Sequence, residues 1–421
     1  MFDAPPIDVP FVKGTVMVTV TNPAIAGCQL PQLHVVFIDV DQTTTDLVAD
    51  ANGKAQADVF PGASVTAVCE RSTGTDIAVT VQDVEPGDDI TLDGSYFFTG
   101  TRTADNTVVG TFKLSFPTAP GATNYTIYHP CGNAVPSGNT NVSLPMKAGC
   151  VEQAMDFVVV AGTSAGPTQW TEGANVPYTN NGSFTITDTW HPFAGVTANY
   201  TNAPAFCADS QDPDQPCTVA LARYVPEFHG MRLPTQASIA TSTSLAVTSP
   251  TSSSAIMQTQ LTTLGPEYQV FTDVVDGSQT TYDFDIAARS LPWMCRKTAQ
   301  CPMFDGGTAK LTIPVTGTGA YDLFETDVQW ARGQQIFIWR VFGPTAGDVT
   351  FPTLPASVSV MNPIGSDRQS VTHARICESD LFTGWRDARQ SPFDALATCT
   401  QSTNPTAPRY GGMHDRLSAS Q

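Results

Sequence analysis

Short alternating or wholly apolar runs recur along the chain, and sustained helical periodicity is scarce. GTVMVTVTN (14–22), LHVVFIDV (33–40), TDLVAD (45–50), KAQADVF (54–60), SVTAVCE (64–70) and TDIAVTVQDV (75–84) read as successive strands. Side chains along a strand face opposite sides in turn, so such runs bury one face and leave the other polar. Their spacing predicts a small antiparallel sandwich over 12–88, with Asn52-Gly53 placed where a tight turn needs positive φ. Past Pro86-Gly87-Asp88-Asp89, runs such as GTFKLSF, NYTIYHPCG, AMDFVVVAG and GVTANYT predict a second sandwich over 89–204. Less regular runs over 205–400, including AIMQTQLTTL, FETDVQW and QIFIWRVFG, predict a larger sandwich region.

Helical spacing enters only near the C-terminus. Leu381, Phe382, Trp385, Phe393 and Leu396 fall at helix-compatible intervals, which predicts one or two short helices over 378–398 interrupted near Pro392. Residues 147–155 read as a helical turn or as the bend before a strand, and 401–421 as an extended or flexible tail. The expected class is all-β: serial Ig-like or fibronectin-like β-sandwich domains with a short C-terminal helical segment. The regions share short Thr/Val strands without a fixed repeat length, so a solenoid or propeller is not implied.

Cysteine usage adds a compartment. The 10 cysteines fall into local couples, Cys28 with Cys69, Cys131 with Cys150, Cys207 with Cys217, Cys295 with Cys301 and Cys377 with Cys399. An even count without a paired CxxC framework points to structural bridges and an extracytoplasmic, secreted or cell-surface location. Spacing does not determine connectivity, and sequential pairing is the expectation. No apolar stretch reaches the length of a membrane span, and MFDAPPIDVPF has neither a basic n-region nor a leucine-rich core. An exported chain would have lost its signal upstream, and no lipid anchor is visible before Cys28.

Size and charge narrow the functions. At 421 residues the chain exceeds the length at which one core stops growing. A net charge of -19 without clustered Lys and Arg excludes a nucleic-acid surface. Protein or surface-glycan partners, or further copies of the chain, are the expected partners.

The candidate chemistry is sparse. Asp209, Asp212 and Asp214 lie between Cys207 and Cys217, where a closed loop would gather carboxylate oxygens suited to structural calcium. The same residues also read as a solvated acidic loop, since the alternating ligands and distal Glu of an EF-hand are missing. Asp273, Asp276, Asp283 and Asp285 form a second acidic set, and Asp39 with Asp41 a third; each reads more simply as a polar strand face. Glu267, Glu325 and Asp327, near Tyr268, Phe324 and Trp330, are the carboxylates available for glycoside hydrolysis, though nothing fixes their separation. The six histidines occur singly, without HExxH, and no serine sits in GxSxG. Trp190 and Trp293, beside prolines near strand ends, are the candidate exposed aromatics for a glycan or protein partner. Trp339 and Trp385 read as core, and Arg340, which points away from Trp339, as marking the solvent face.

TDLVADANGKAQADVFPGASVTAV (45–68) resembles a passage of bacterial surface Ig-like domains and of carboxypeptidase-regulatory-like domains. Asp50, Asn52, Gly53, Lys54 and Ala55 carry the likeness, followed by Pro61-Gly62. The resemblance implies a small β-sandwich used as a spacer, adhesin module or accessory domain, and transfers no catalytic residue. The whole chain loosely resembles uncharacterised exported bacterial lipoproteins. The sequence therefore favours a non-enzymatic exported cell-envelope component, as a structural protein, an adhesin or an assembly subunit. The alternative is a secreted carbohydrate-binding protein or glycoside hydrolase.

Overall fold

Where one face of a strand is open, the alternation becomes burial. In Gly14–Thr21 the valines 16, 18 and 20 enter the core, and in Lys54–Val59 the opposing Ala55 and Val59 do the same. The computed structural model describes residues 12–21, 33–69, 75–94, 107–136, 138–202, 219–228, 231–233, 236–238, 244–252, 254–262, 268–294, 303–317, 319–400 and 414–420. These are overwhelmingly strands arranged as small sandwiches of the Ig and fibronectin kind, with short helices near the C-terminus.

Three sandwiches share one topology. In the first module, Gly14–Thr21 pairs antiparallel with Lys54–Val59 and parallel with Asp89–Asp93. In the second, Val108–Ser115 pairs antiparallel with Asn141–Lys147 and parallel with Ser183–Thr185. In the third, Ala194–Thr201 pairs antiparallel with Ser244–Ser249 and parallel with Thr281–Asp285. Each time the first strand lies between the fourth and the seventh, and the facing sheet runs third, second, fifth, sixth. In the third module that third strand is broken into Met231–Arg232 and Gln236–Ser238. The module's first strand begins before the 204/205 boundary expected from sequence.

Asn52-Gly53 forms the expected turn, but the strands on its two sides do not pair with each other. Thr44–Val48 pairs with Leu33–Ile38, whereas Lys54–Val59 pairs with Gly14–Thr21, so the turn carries the chain from one sheet to the other. Gly53 has φ of +75°, and a Cβ there would lie 2.2 Å from the Val20 carbonyl oxygen, a contact only glycine avoids. Asp50 Oδ1 fixes the corner by accepting from the backbone N–H groups of Asn52 (2.8 Å) and Lys54 (2.9 Å).

The rest of the chain builds a bridge. The sixth strand of module one, Thr75–Val84, pairs parallel with Gln335–Gly343. Leu323–Arg332 and Arg368–Ser379 follow antiparallel, and then His414–Ser420, which pairs with Tyr268–Val275, the sixth strand of module three. The outcome is one 13-stranded sheet linking modules one and three. Residues 414–420, expected as tail, supply a strand of it; two partner strands far away in sequence hold it, and no local signal announces them.

Both faces of the bridge are covered. On one, Trp330, Trp339, Phe337 and Ile376 pack with Leu311, Phe351 and Met361. On the other, two helices, α1 (Trp385–Ala388) and α2 (Pro392–Thr400), lay Trp385, Phe393 and Leu396 against the module one core. Pro392 opens α2, a first-turn position where its missing N–H deprives the helix of nothing. Between the helices Arg389, 2% exposed, donates to the Asp83 carbonyl (2.6 Å) and to Glu85 and Asp88 (3.1 Å each). Gln390 extends the clasp through its carbonyl to the Thr91 N–H (2.7 Å).

Candidate functional site

The bridge sheet carries a charged cluster on its helix side. Glu325 and Asp327 are two apart on one strand and so point to one face; their cross-strand partners are Arg375 and His373 on one side and Phe342 and Arg340 on the other. Arg340 grips both Asp327 oxygens at 2.6 and 2.5 Å and reaches Glu325 at 3.2 Å. His373 Nε2 lies 3.1 and 3.2 Å from the Glu325 oxygens and 3.6 Å from Asp327, and Arg375 stands 3.9 Å from Glu325. Two carboxylates thus balance two guanidinium groups, with the imidazole between them. The Phe393 ring of α2 covers Arg340 at 5.5 Å.

Electrostatics locks this arrangement. Burial alone would raise the fully buried Glu325 carboxyl, but His373, Arg375 and Arg340 hold it far below the carboxylate range. Burial opposes charge on His373, yet Glu325 and Asp327 outweigh it and keep the imidazole above its ordinary value. Burial likewise opposes charge on Arg340, and Asp327 with Glu325 raises its pKa. Buried charges persist when each finds such partners, since an unpaired one costs several kcal/mol.

Two chemistries can be weighed here. Glu325, Asp327 and His373 each offer a ligand atom within 4.8 Å of the others and could coordinate a metal ion. Arg340 already occupies both Asp327 oxygens, so an ion would have to displace it. One nitrogen and two carboxylates do not make the oxygen-rich shell calcium takes. Glycoside hydrolysis needs an acid whose pKa is raised, and Glu325 is shifted the other way. Phe324 and Trp330, on the same strand as these acids, face the opposite side of the sheet and belong to the other core, so they line no groove with them.

The remaining sequence candidates scatter. Asp209, Asp212, Asp214 and Glu267 lie outside the described residues, as do Cys28, Cys207, Cys217, Cys295 and Cys301. Cys131–Cys150 and Cys377–Cys399 are disulfides with Cα separations of 5.1 and 5.7 Å, and no free cysteine occurs among the described residues. Trp190 is half-buried against Phe116 and Tyr125, and its indole N–H donates to the Pro117 carbonyl at 3.2 Å. Trp293 is 7% exposed in the core of module three, which corrects the exposure its neighbouring proline implied. Asp273 pairs with Arg289, Asp276 caps its own turn through Ser278 (3.0 Å), and Asp283 and Asp285 accept from Asn199 (2.8 Å) and Asn202 (3.0 Å). Asp39 pairs with Lys13 at 2.7 Å, and Asp41 accepts from Thr43. No helix among the described residues is long and apolar enough to cross a membrane.

Sequence reasoning missed the recess between modules two and three. Tyr128, Val160, Phe193, Tyr224, Leu233 and Thr248 enclose about 70 Å³ there, beside the Trp170–Phe228 contact at 4.9 Å. The aromatic at 193 directly after His191-Pro192 is the one cue, because the edge pair His191–Pro192 directs it to the seam.

No family model matches the chain, and no curated protein matches it. Among solved structures, it is similar to the Bacillus anthracis TIE protein at 10% identity and a TM-score of 0.15, over 65% of this chain. The chain spans 50% of that protein's length. It is similar to the N-terminal four Ig domains of Dscam1 isoform 6.44 at 10% identity and a TM-score of 0.13, covering 87% of this chain and 94% of that one. A third likeness is to a Bacteroides ovatus mixed-linkage glucan utilization locus protein, SGBP-B, in complex with a mixed-linkage heptasaccharide. There the identity is 10% and the TM-score 0.12, over 92% of this chain and 89% of that one. Superpositions this loose carry no argument about ligand or location.

Proposed function

We infer that this chain is an exported, disulfide-braced structural or adhesive subunit of a cell envelope. One observation supports it above the others: three sandwiches share one topology, and the bridge that ties the first to the third spends its charged cluster on internal ion pairs. Local disulfides agree with an oxidising compartment. The test is protease digestion of intact source cells, with thiol counting on the native protein. Digestion from outside and no titratable thiol are expected; a protected protein with reduced cysteines would overturn the reading.

A second reading, glycan binding, is favoured by the aromatic recess between modules two and three. In that reading structural calcium at Asp209, Asp212 and Asp214 would support the fold. Glycan-array binding that Phe193→Ala abolishes, together with a melting temperature that falls on chelation, would establish it. A featureless array with no chelator effect would remove it.

A further inference from the structure

The 13-stranded sheet is continuous only because His414–Ser420 is in place. His414–Ser420 runs antiparallel to both neighbours, in register from Asp273↔His414 to Tyr268↔Ala419 on one side and from Ser379↔Asp415 to Ala374↔Ser420 on the other. Without it, Tyr268–Val275 and Arg368–Ser379 would face each other across two strand spacings, about 9–10 Å. That gap is too wide for the walls to bond each other, and both would keep a row of unpaired backbone N–H and C=O groups. The slot therefore calls for an extended strand, as edge-completing recognition does.

Which chain supplies the strand is left open by the contacts themselves. Cys399, at the end of α2, is tied to Cys377, and Cys377 is the register partner of Leu417. The link from Thr400 to His414 thus starts beside the slot, and its 13 residues, numbers 401–413, can reach about 43 Å when extended. A strand from a second copy would restore the same pairs as the strand from within, so exchange sacrifices no contact and its extent is set by concentration.

We propose that this slot is the joint between copies: in an assembly, His414–Ser420 of one chain fills the gap between Tyr268–Val275 and Arg368–Ser379 of the next. The proposal rests on the reading as an assembly subunit and names its contact. Full-length chains carrying Tyr268→Cys or Ala419→Cys, register partners, are given tags of different mass, coexpressed and oxidised. A disulfide-linked heterodimer is expected, absent when Val48→Cys on an exposed edge strand replaces Tyr268→Cys. The doubly substituted chain shows whether the strand occupies its own slot. Closure only within that chain, with no heterodimer from the single variants, overturns the exchange, as does failure to crosslink in every combination. Native mass spectrometry of the unaltered protein is the second measurement: multimers that Leu417→Pro removes support the joint, and a monomer at every concentration overturns it. A protein digested at the cell surface yet always monomeric would keep the structural reading and lose this one.

Discussion

Modules one and three share a strand order and leave the same sixth-strand edge open, yet the two edges are closed by different means. At module one the closing strand is parallel, seven residues in register, and backed by Arg389 and Gln390 reaching from between the helices to the Asp83–Thr91 segment. At module three it is His414–Ser420, antiparallel on both sides and held by its two ladders. Module two receives only the two-residue pair His191–Pro192. One topology thus meets three degrees of permanence, and the difference lies in what the chain does after each sandwich is made.

The strongest way to break this contrast is at the module one clasp. Arg389→Ala strands Asp88 in a buried site and is expected to remove about 3–5 kcal/mol in chemical denaturation. A loss near zero would make the clasp ornamental. Opening the Cys377–Cys399 bridge with a Cys399→Ser, Cys377→Ser pair is expected to remove about 2–4 kcal/mol, and to loosen the terminal strand that starts beside it.

The histidines sharpen the comparison by sign. Burial, with a smaller push from Lys147, lowers His129 in module two from 6.5 to about 4. Its folded value is depressed, so the stability it allows is present above 6.5 and lost as pH falls from 6.5 toward 4, about 3 kcal/mol in all. His373 in the bridge is raised, so its contribution is whole below 6.5 and disappears as pH climbs through the raised value. Melting curves across pH should show His129→Phe flattening the acid arm and His373→Gln flattening the alkaline one. The reverse pattern would contradict both environments. The most local effect belongs to Leu417→Pro, which puts proline in the middle of a strand paired on both sides and is expected to release His414–Ser420 from its two ladders. Hydrogen exchange should quicken at 268–275 and 368–379 and stay slow at 75–81; uniform quickening would mean that the two joints are one cooperative unit.

Much of the local architecture was legible in the residues. Thr75–Val84 matches its alternating run, the helices break at Pro392, and Cys131–Cys150 and Cys377–Cys399 close as local couples. Period two also placed Arg340 opposite Trp339. It failed only in assuming that the opposite face is wet, because α2 covers it and Asp327 pairs with it. The charged cluster stayed hidden for the same reason as the bridge. Backbone pairing between distant strands depends on no particular side chain, so nothing in QIFIWRVFG names Thr75–Val84 as its neighbour. Asn52-Gly53 shows the limit at short range: the residues specify a turn, while the sheets it joins are decided by partners elsewhere.

Trp339 donates its indole N–H to Thr80 across 259 residues of sequence. A chain that emerges from its N-terminus completes the first sandwich early and then carries that sandwich's apolar, unpaired edge until Gln335–Gly343 arrives. Contacts so distant in sequence slow folding and lengthen the life of sticky intermediates. The order of emergence therefore makes biogenesis, more than the finished fold, the stage at which this protein most needs protection from its own copies.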